Sequence, residues 1–338
     1  MGDEKIRVGV IGIGGLARSV HLPALRDLQG IELTAVCDRV AERAEFAAAE
    51  YGFSRTYALH AEMLAKERLD AVFVLVEPHN LFEVTRDCLA AGLDVFMEKP
   101  PGITAFQADA LRMAAEAESR ILQVGFNRRY IPVVLRTLEI MQEITPITQV
   151  EGCFFKNGSA QFFGGAVSSF VSDSIHAVDL IRWIAGGNPV KAAIVQNQVE
   201  DVVPNAWNGV MAFDNGVTGI IKANYKTGGR IHTFEIHGPK ASAYINLGCG
   251  EITAQAEILM HNGTSMYSAA SGGATSQNRL LLDGKELVGS EAFYRYYGFY
   301  QEDAAFIESV RTRKPPIADI SEGVKSIRLV EMLLNSVI

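Results

Sequence analysis

The chain has 338 residues, 48% of them hydrophobic and 21% charged, with 31 basic against 39 acidic side chains and a formal net charge of −8. That length exceeds one ordinary core and suits two domains, while the acidic balance and the lack of any Lys/Arg run exclude a sequence-independent nucleic-acid binder. Four scattered cysteines (Cys37, Cys88, Cys153, Cys249) form no Cys-x-x-Cys pair, so neither a metal cluster nor a disulfide framework is expected, and a reducing cytoplasm is the simplest setting.

The polar start, Met1-Gly2-Asp3-Glu4-Lys5-Ile6-Arg7, shows no apolar leader pattern, and no stretch approaches the roughly 18–20 apolar residues of a membrane span. Ile6 to Ile11 then reads as a buried strand, Leu16 to Leu28 as a helix, Ile31 to Cys37 as a second strand and Ala41 to Tyr51 as an Ala/Glu-rich helix. Short apolar runs follow at Ala71 to Val76, Val95 to Met97 and Ile121 to Val124, separated by helix-like segments at 80–91 and 104–118. Strict alternation of this kind predicts βαβ units and a doubly wound parallel sheet over residues 1–125.

The rhythm changes after about residue 145. A helix is predicted at about 171–185. Asp214-Asn215-Gly216 between two apolar runs predicts a hairpin with a type I′ turn, and Gly238-Pro239-Lys240 separates two further strand-like runs. Residues 126–300 are therefore expected to form an α+β domain with a large, open, mainly antiparallel sheet. Residues 262–292 are Gly- and Ser-rich and read as loop or ragged strand. Helices at about 300–312 and 321–336 close the chain over 301–338. The tyrosines Tyr294, Tyr296, Tyr297 and Tyr300 read as aromatic packing rather than a pocket lining.

Three places carry chemistry. In Gly12-Ile13-Gly14-Gly15-Leu16-Ala17, Gly12 allows a sharp turn off the first strand, Gly14 leaves room for a pyrophosphate, and Ala17 lets the helix lie close to the sheet. Asp38, at the end of the second strand, is placed to accept from ribose hydroxyls and favours NAD. Arg39 beside it keeps NADP as the alternative. Glu98-Lys99-Pro100 delivers a lysine just past a strand end, where ligands of such sheets collect, and desolvation there suits a proton-handling role. Last, Ser172, His176 and Asp179 fall in one roughly 60° sector of the 171–185 helix, with Asp173 at its edge, opposite a buried stripe of Val171, Ile175, Val178 and Ile181. A histidine sharing a face with carboxylates is an acid/base candidate.

These residues resemble the glucose–fructose oxidoreductase / inositol dehydrogenase (Gfo/Idh/MocA) family over nearly the whole chain. The likeness runs through Val10 to Ala17 with His21-Leu22-Pro23-Ala24-Leu25, Ala35 to Asp38, Ala90 to Pro100, and Val124-Gly125-Phe126-Asn127-Arg128-Arg129-Tyr130. It ends with His176-x-x-Asp179-Leu180 and Phe306-Ile307-Glu308-Ser309-Val310. The resemblance implies a Rossmann domain, an open-sheet domain that often makes a homodimer or homotetramer, and hydride transfer between NAD(P) and a hydroxyl carbon of a sugar, cyclitol or related polyol. It implies coenzyme contacts at Gly12, Gly14, Gly15, Leu16, Ala17, Asp38, Arg39, Pro78, Glu98 and Lys99, with no metal. It makes His176 the acid/base and Lys99 the group that hydrogen-bonds the reacting oxygen. Asp173, Asp179, Asn127 and Arg128 would then lie near substrate or nicotinamide. Two departures stand out: many relatives carry Asp at the position of Ser172 and His at the position of Phe82. A non-catalytic dinucleotide sensor and a reductase of a non-sugar carbonyl or imine are the rival readings.

Overall fold

Residues 5–158, 161–162, 167–261 and 278–338 are described in the computed structural model. By internal contacts the chain divides into two units, Met1–Tyr130 with Gln161–Ile175 and Phe293–Glu331, and Ile131–Ala160 with His176–Ala292 and Met332–Ile338.

The first unit is built on six parallel strands, β1 (Ile6–Ile11), β2 (Ile31–Cys37), β3 (Arg55–Tyr57), β4 (Ala71–Val74), β5 (Asp94–Met97) and β6 (Leu122–Val124), in the order β3-β2-β1-β4-β5-β6. Every residue of β4 and β5 is buried, as a parallel sheet covered on both faces requires. Helices Ala41–Tyr51, Pro78–Ala90 and Ala105–Ala117 supply the crossovers. The order reverses between β1 and β4, the switch point outside which such sheets bind ligands. The predicted Leu16–Leu28 helix contains a π turn, Ala17–His21, before the α-helix Leu22–Asp27. Strand β3 and the helix His60–Lys66 had no apolar periodicity to announce them.

The helix Phe299–Thr312, which precedes the last helix Ile320–Leu334, belongs to this unit. It lays Phe306 against Phe73 of β4 and Phe96 of β5, with ring centroids 5.2 and 5.9 Å apart and edge-to-face geometry. Phe73 and Phe96 stack on each other at 4.9 Å. Each such ring contributes about 1.5–3 kcal/mol of burial. The tyrosine-rich segment is packing, as expected: Phe293, Tyr297 and Phe299 stack, and the Tyr294 hydroxyl donates to Asp27.

The second unit holds an eight-stranded sheet: β7 (Gln149–Asn157), β8 (Pro189–Asn197), β9 (Ala206–Phe213), β10 (Thr218–Asn224), β11 (Lys226–His237), β12 (Ala241–Asn246), β13 (Gln255–Met260) and β14 (Asn278–Asp283). The order is β8-β9-β10-β7-β11-β12-β13-β14. All neighbours are antiparallel except β10 and β7, which run parallel. Alternating burial along β9 and β12 gives one apolar inner face and one open outer face.

Two expectations change here. The Asp214-Asn215-Gly216 hairpin forms between β9 and β10, but not on a type I′ turn. Gly216 takes φ +84° while Asn215 keeps a negative φ. The Asn215 side chain donates to the Ala185 carbonyl and accepts from Val217 N–H, holding it in an ordinary turn that Gly216 then closes. Of the segment 262–292, read as loop or ragged strand, residues 262–277 lie outside the described residues, and Gly284–Val288 is a short helix that Asp283 caps by accepting from the Lys285 and Glu286 N–H groups. Residues 278–283 form the strand β14, hydrogen-bonded in register along β13, because an edge strand needs a partner ladder rather than its own alternation.

Candidate active site

The glycine-rich turn connects β1 to the first helix. Gly12 sits at φ +96°, and a Cβ there would meet the Leu75 carbonyl at 2.8 Å, so only glycine passes beneath the end of β4. At Gly14 and Gly15 a Cβ would meet nothing within 4 Å. The backbone there is open to an approaching ligand, which fits a pyrophosphate. Leu16 is exposed and Ala17 buried.

Asp38 locks this turn to the end of β2. Its Oδ2 accepts from Ile13 N–H at 2.7 Å and its Oδ1 from Val40 N–H at 2.8 Å. A carboxylate accepts about four hydrogen bonds, so both oxygens keep capacity for hydroxyls. Arg39 is exposed beside it. Pro78 opens the helix after β4, and Phe82 is half-buried one turn on.

Past β5, the Glu98 carboxylate turns inward. Its Oε2 accepts from Lys99 N–H at 3.1 Å, and its Oε1 lies 3.2 Å from His21 Nε2. The Lys99 ammonium donates to the Ser172 carbonyl at 3.2 Å, and the Ser172 hydroxyl donates to Ser168 O at 3.0 Å. The Lys99–Pro100 peptide bond is cis. Asn127 is buried, donating to Tyr297 O at 3.0 Å and accepting from the buried Arg128 at 3.3 Å.

The segment carrying His176 departs from the predicted helix. Phe170–Ser174 is a π turn, and the α-helix runs Ile175–Ala185. The 100° spacing therefore does not carry through from Ser172 to His176. The polar sector is not solvated either: Ser172, His176 and Asp179 are all buried, with Asp179 at 0% exposure, and Asp173 is half-buried. Lys99, Glu98 and the Ser172 turn come together in the first unit. His176 and Asp179 belong to the second.

His21 has a role that its sequence neighbours did not announce. It is fully buried, with Nδ1 3.0 Å from Asp303 and Nε2 facing Glu98. Burial pushes its imidazolium down, but the charge and hydrogen bonds of Asp303 and Glu98 outweigh that and hold it well above the ordinary histidine value. Burial pushes the Asp303 carboxyl up to about 6 against the pull of His21, so the two are oppositely charged at neutral pH. Glu302, also at 0% exposure, has neither carboxylate oxygen hydrogen-bonded. Burial raises it well above the carboxylate range, and neighbouring Asp303 and Glu98 add to this. His21, Glu98 and Glu302 each bring a potential ligand atom within 4.8 Å of the others, as do Glu151, Glu235 and His237 in the second unit. Glu151 is already paired with Lys222 and His237 with Glu235.

Residues 6–126 match an oxidoreductase family's NAD-binding Rossmann fold, and residues 159–337 match its C-terminal alpha/beta domain. The chain belongs to the Gfo/Idh/MocA oxidoreductase family. Its first sheet is thus the family's NAD-binding Rossmann fold. Among relatives of this Gfo/Idh/MocA chain, D-apiose dehydrogenase of Paraburkholderia graminis is 25% identical over 231 residues, covering 66% of this chain and 61% of the relative. Inositol 2-dehydrogenase 1 of Saccharopolyspora erythraea is 28% identical over 198 residues, covering 56% and 57%. The chain thus spans about three fifths of the length of these curated relatives. A crystal structure of a dehydrogenase from Chromobacterium violaceum shares the fold with a TM-score of 0.86 at 21% identity, covering 98% of this chain and 95% of that one. Among the described residues, no helix is long and apolar enough to cross a membrane.

Proposed function

We propose that this protein is an NAD(P)-dependent oxidoreductase moving a hydride between nicotinamide and a hydroxyl carbon of a sugar, cyclitol or related polyol. The reading is carried by one observation: the Lys99 ammonium is hydrogen-bonded to the Ser172 carbonyl, four residues before His176 in the chain. An ammonium has three N–H donors, so one bond to Ser172 leaves two for a reacting oxygen. The names of the relatives, an apiose and an inositol dehydrogenase, favour a polyol.

The nicotinamide, when bound, supplies the hydride acceptor or donor. The protein's own residues do the rest. Gly12, Gly14, Gly15, Leu16 and Ala17 present bare backbone and a helix start to the pyrophosphate. Asp38 takes the ribose hydroxyls, favouring NAD, with Arg39 available to a 2′-phosphate; Pro78 and the Glu98 backbone border the coenzyme. Lys99 hydrogen-bonds the substrate oxygen and steadies its developing charge, and His176 accepts or returns the hydroxyl proton. Asp173, Asp179, Asn127 and Arg128 orient the substrate.

Four free thiols support residence in the cytoplasm. Exposed Val195, Val210, Tyr244 and Leu281 on the outer face of the second sheet support a homodimer or homotetramer through that face. Light scattering on the eluting peak checks this, and a monomer at micromolar concentration would refute it. The activity test is a panel of polyols, myo-inositol and D-apiose among them, with NAD and then NADP, followed at the reduced-nicotinamide absorbance. Turnover of at least one polyol is expected. Tight coenzyme binding with no absorbance change across the panel would instead support a sensor.

A further inference from the structure

The mechanism above makes no use of His21, yet few side chains in the first unit are held so completely. Its Nδ1 lies 3.0 and 3.2 Å from the two Asp303 oxygens, and its Nε2 lies 3.2 Å from Glu98 Oε1. The rings of Phe96, Phe299 and Phe73 stand around it with centroids 5.4, 5.6 and 6.4 Å away. An imidazole with a carboxylate on each nitrogen donates from both, which fixes its plane and its charge together. Glu98 is confined in turn. On one side a Cβ at Gly125 would stand 2.8 Å from its Oε1, so only glycine leaves it room, and its Oε2 holds the Lys99 N–H. An unbroken hydrogen-bonded chain therefore runs from the helix Phe299–Thr312 through His21 to the backbone of Lys99.

We propose that His21 is a positioning residue for Lys99. Clamped by Asp303, it holds the Glu98 carboxylate against the Lys99 peptide, and this sets the point from which the ammonium reaches the Ser172 carbonyl. The proposal rests on reading Lys99 as the group that meets the reacting oxygen. The charged groups facing His21 are Glu98 past β5 and Glu302 and Asp303 on the helix Phe299–Thr312, with the Arg128 charge acting on Glu302. Burial holds the Glu302 carboxyl well above the carboxylate range, and the His21 ring stands between the Asp303 and Glu98 carboxylates. A buried ionic trio of this sort contributes little net stability compared with apolar side chains of the same size. What it supplies is a fixed orientation.

The test follows the ammonium itself in the full-length protein. Lysines are reductively methylated with a carbon-13 label, and the Lys99 signal is assigned by its loss in Lys99→Ala. In His21→Leu at a fixed pH the Lys99 methyl signal is expected to leave its wild-type chemical shift, while NADH affinity by fluorescence stays within about threefold. Restoring a donor with His21→Gln should return the signal part of the way. An unchanged Lys99 signal in folded His21→Leu overturns the proposal. Asp303→Asn, which keeps the shape and loses the charge, gives a second reading with the same expected direction. Failure of both variants to fold would also overturn it, by making the cluster a folding requirement. If the Lys99 signal moves but Lys99→Ala retains full turnover, the positioning stands and the catalytic reading of Lys99 fails.

Discussion

At the scale of single residues, the buried cluster makes a prediction about pH that needs no substrate. His21 and Glu302 are both raised in the folded protein, so the native state holds protons that the unfolded chain releases. For each group the stabilisation is complete below its ordinary value, about 6.5 for His and 4.3 for Glu. It is lost as the pH climbs through the raised one. The unfolding free energy from urea titrations should therefore fall as the pH rises above about 4.3, and more steeply above about 6.5. Glu302→Gln has no proton to lose and should make that fall shallower, by up to about 1.4 kcal/mol per pH unit. Equal slopes in the two proteins would show that Glu302 is ionised in the fold. Residues whose chemistry is local were legible beforehand: Gly12 and Asp38 lie 26 positions apart on adjoining strand ends, and Lys99 follows an apolar run directly. The binding of His21 was not, because its partners lie 77 and 282 residues away and no spacing rule connects them.

At the scale of elements, apolar runs predicted β1, β2, β4 and β5 because buried parallel strands advertise themselves by composition. Elements held by a neighbour's hydrogen bonds did not. Strand β3 is three residues of Arg, Thr and Tyr, and β14 sits at a sheet edge. The π turns at Ala17–His21 and Phe170–Ser174 leave no mark in the hydrophobic pattern, so a regular 100° spacing was drawn across segments that do not keep it. The helix Phe299–Thr312 was predicted as a closing helix, but its contribution lies in the ring contacts it makes with β4 and β5. Phe306→Ala should therefore destabilise the first unit by about 3–5 kcal/mol, measured by denaturant unfolding followed with Rossmann-unit probes. A loss under 1 kcal/mol would mean that this ring is not part of that core.

At the scale of the whole molecule, the two-sheet architecture was legible because both domains carry their own periodicity, parallel in one and hairpin-rich in the other, and the family was legible from the likeness of its glycine-rich and Glu98-Lys99-Pro100 motifs. Substrate identity was not, since it depends on side chains distant in sequence that no spacing rule connects. The central claim is that Lys99 and His176 act on one alcohol oxidised by a bound nicotinamide. The most direct measurement is steady-state turnover of the best polyol by wild type, Lys99→Ala and His176→Ala, with coenzyme affinity measured in parallel. Each variant should lose about 10²- to 10⁴-fold in kcat while binding NAD with near-normal affinity. Full turnover in both variants on that polyol would contradict it.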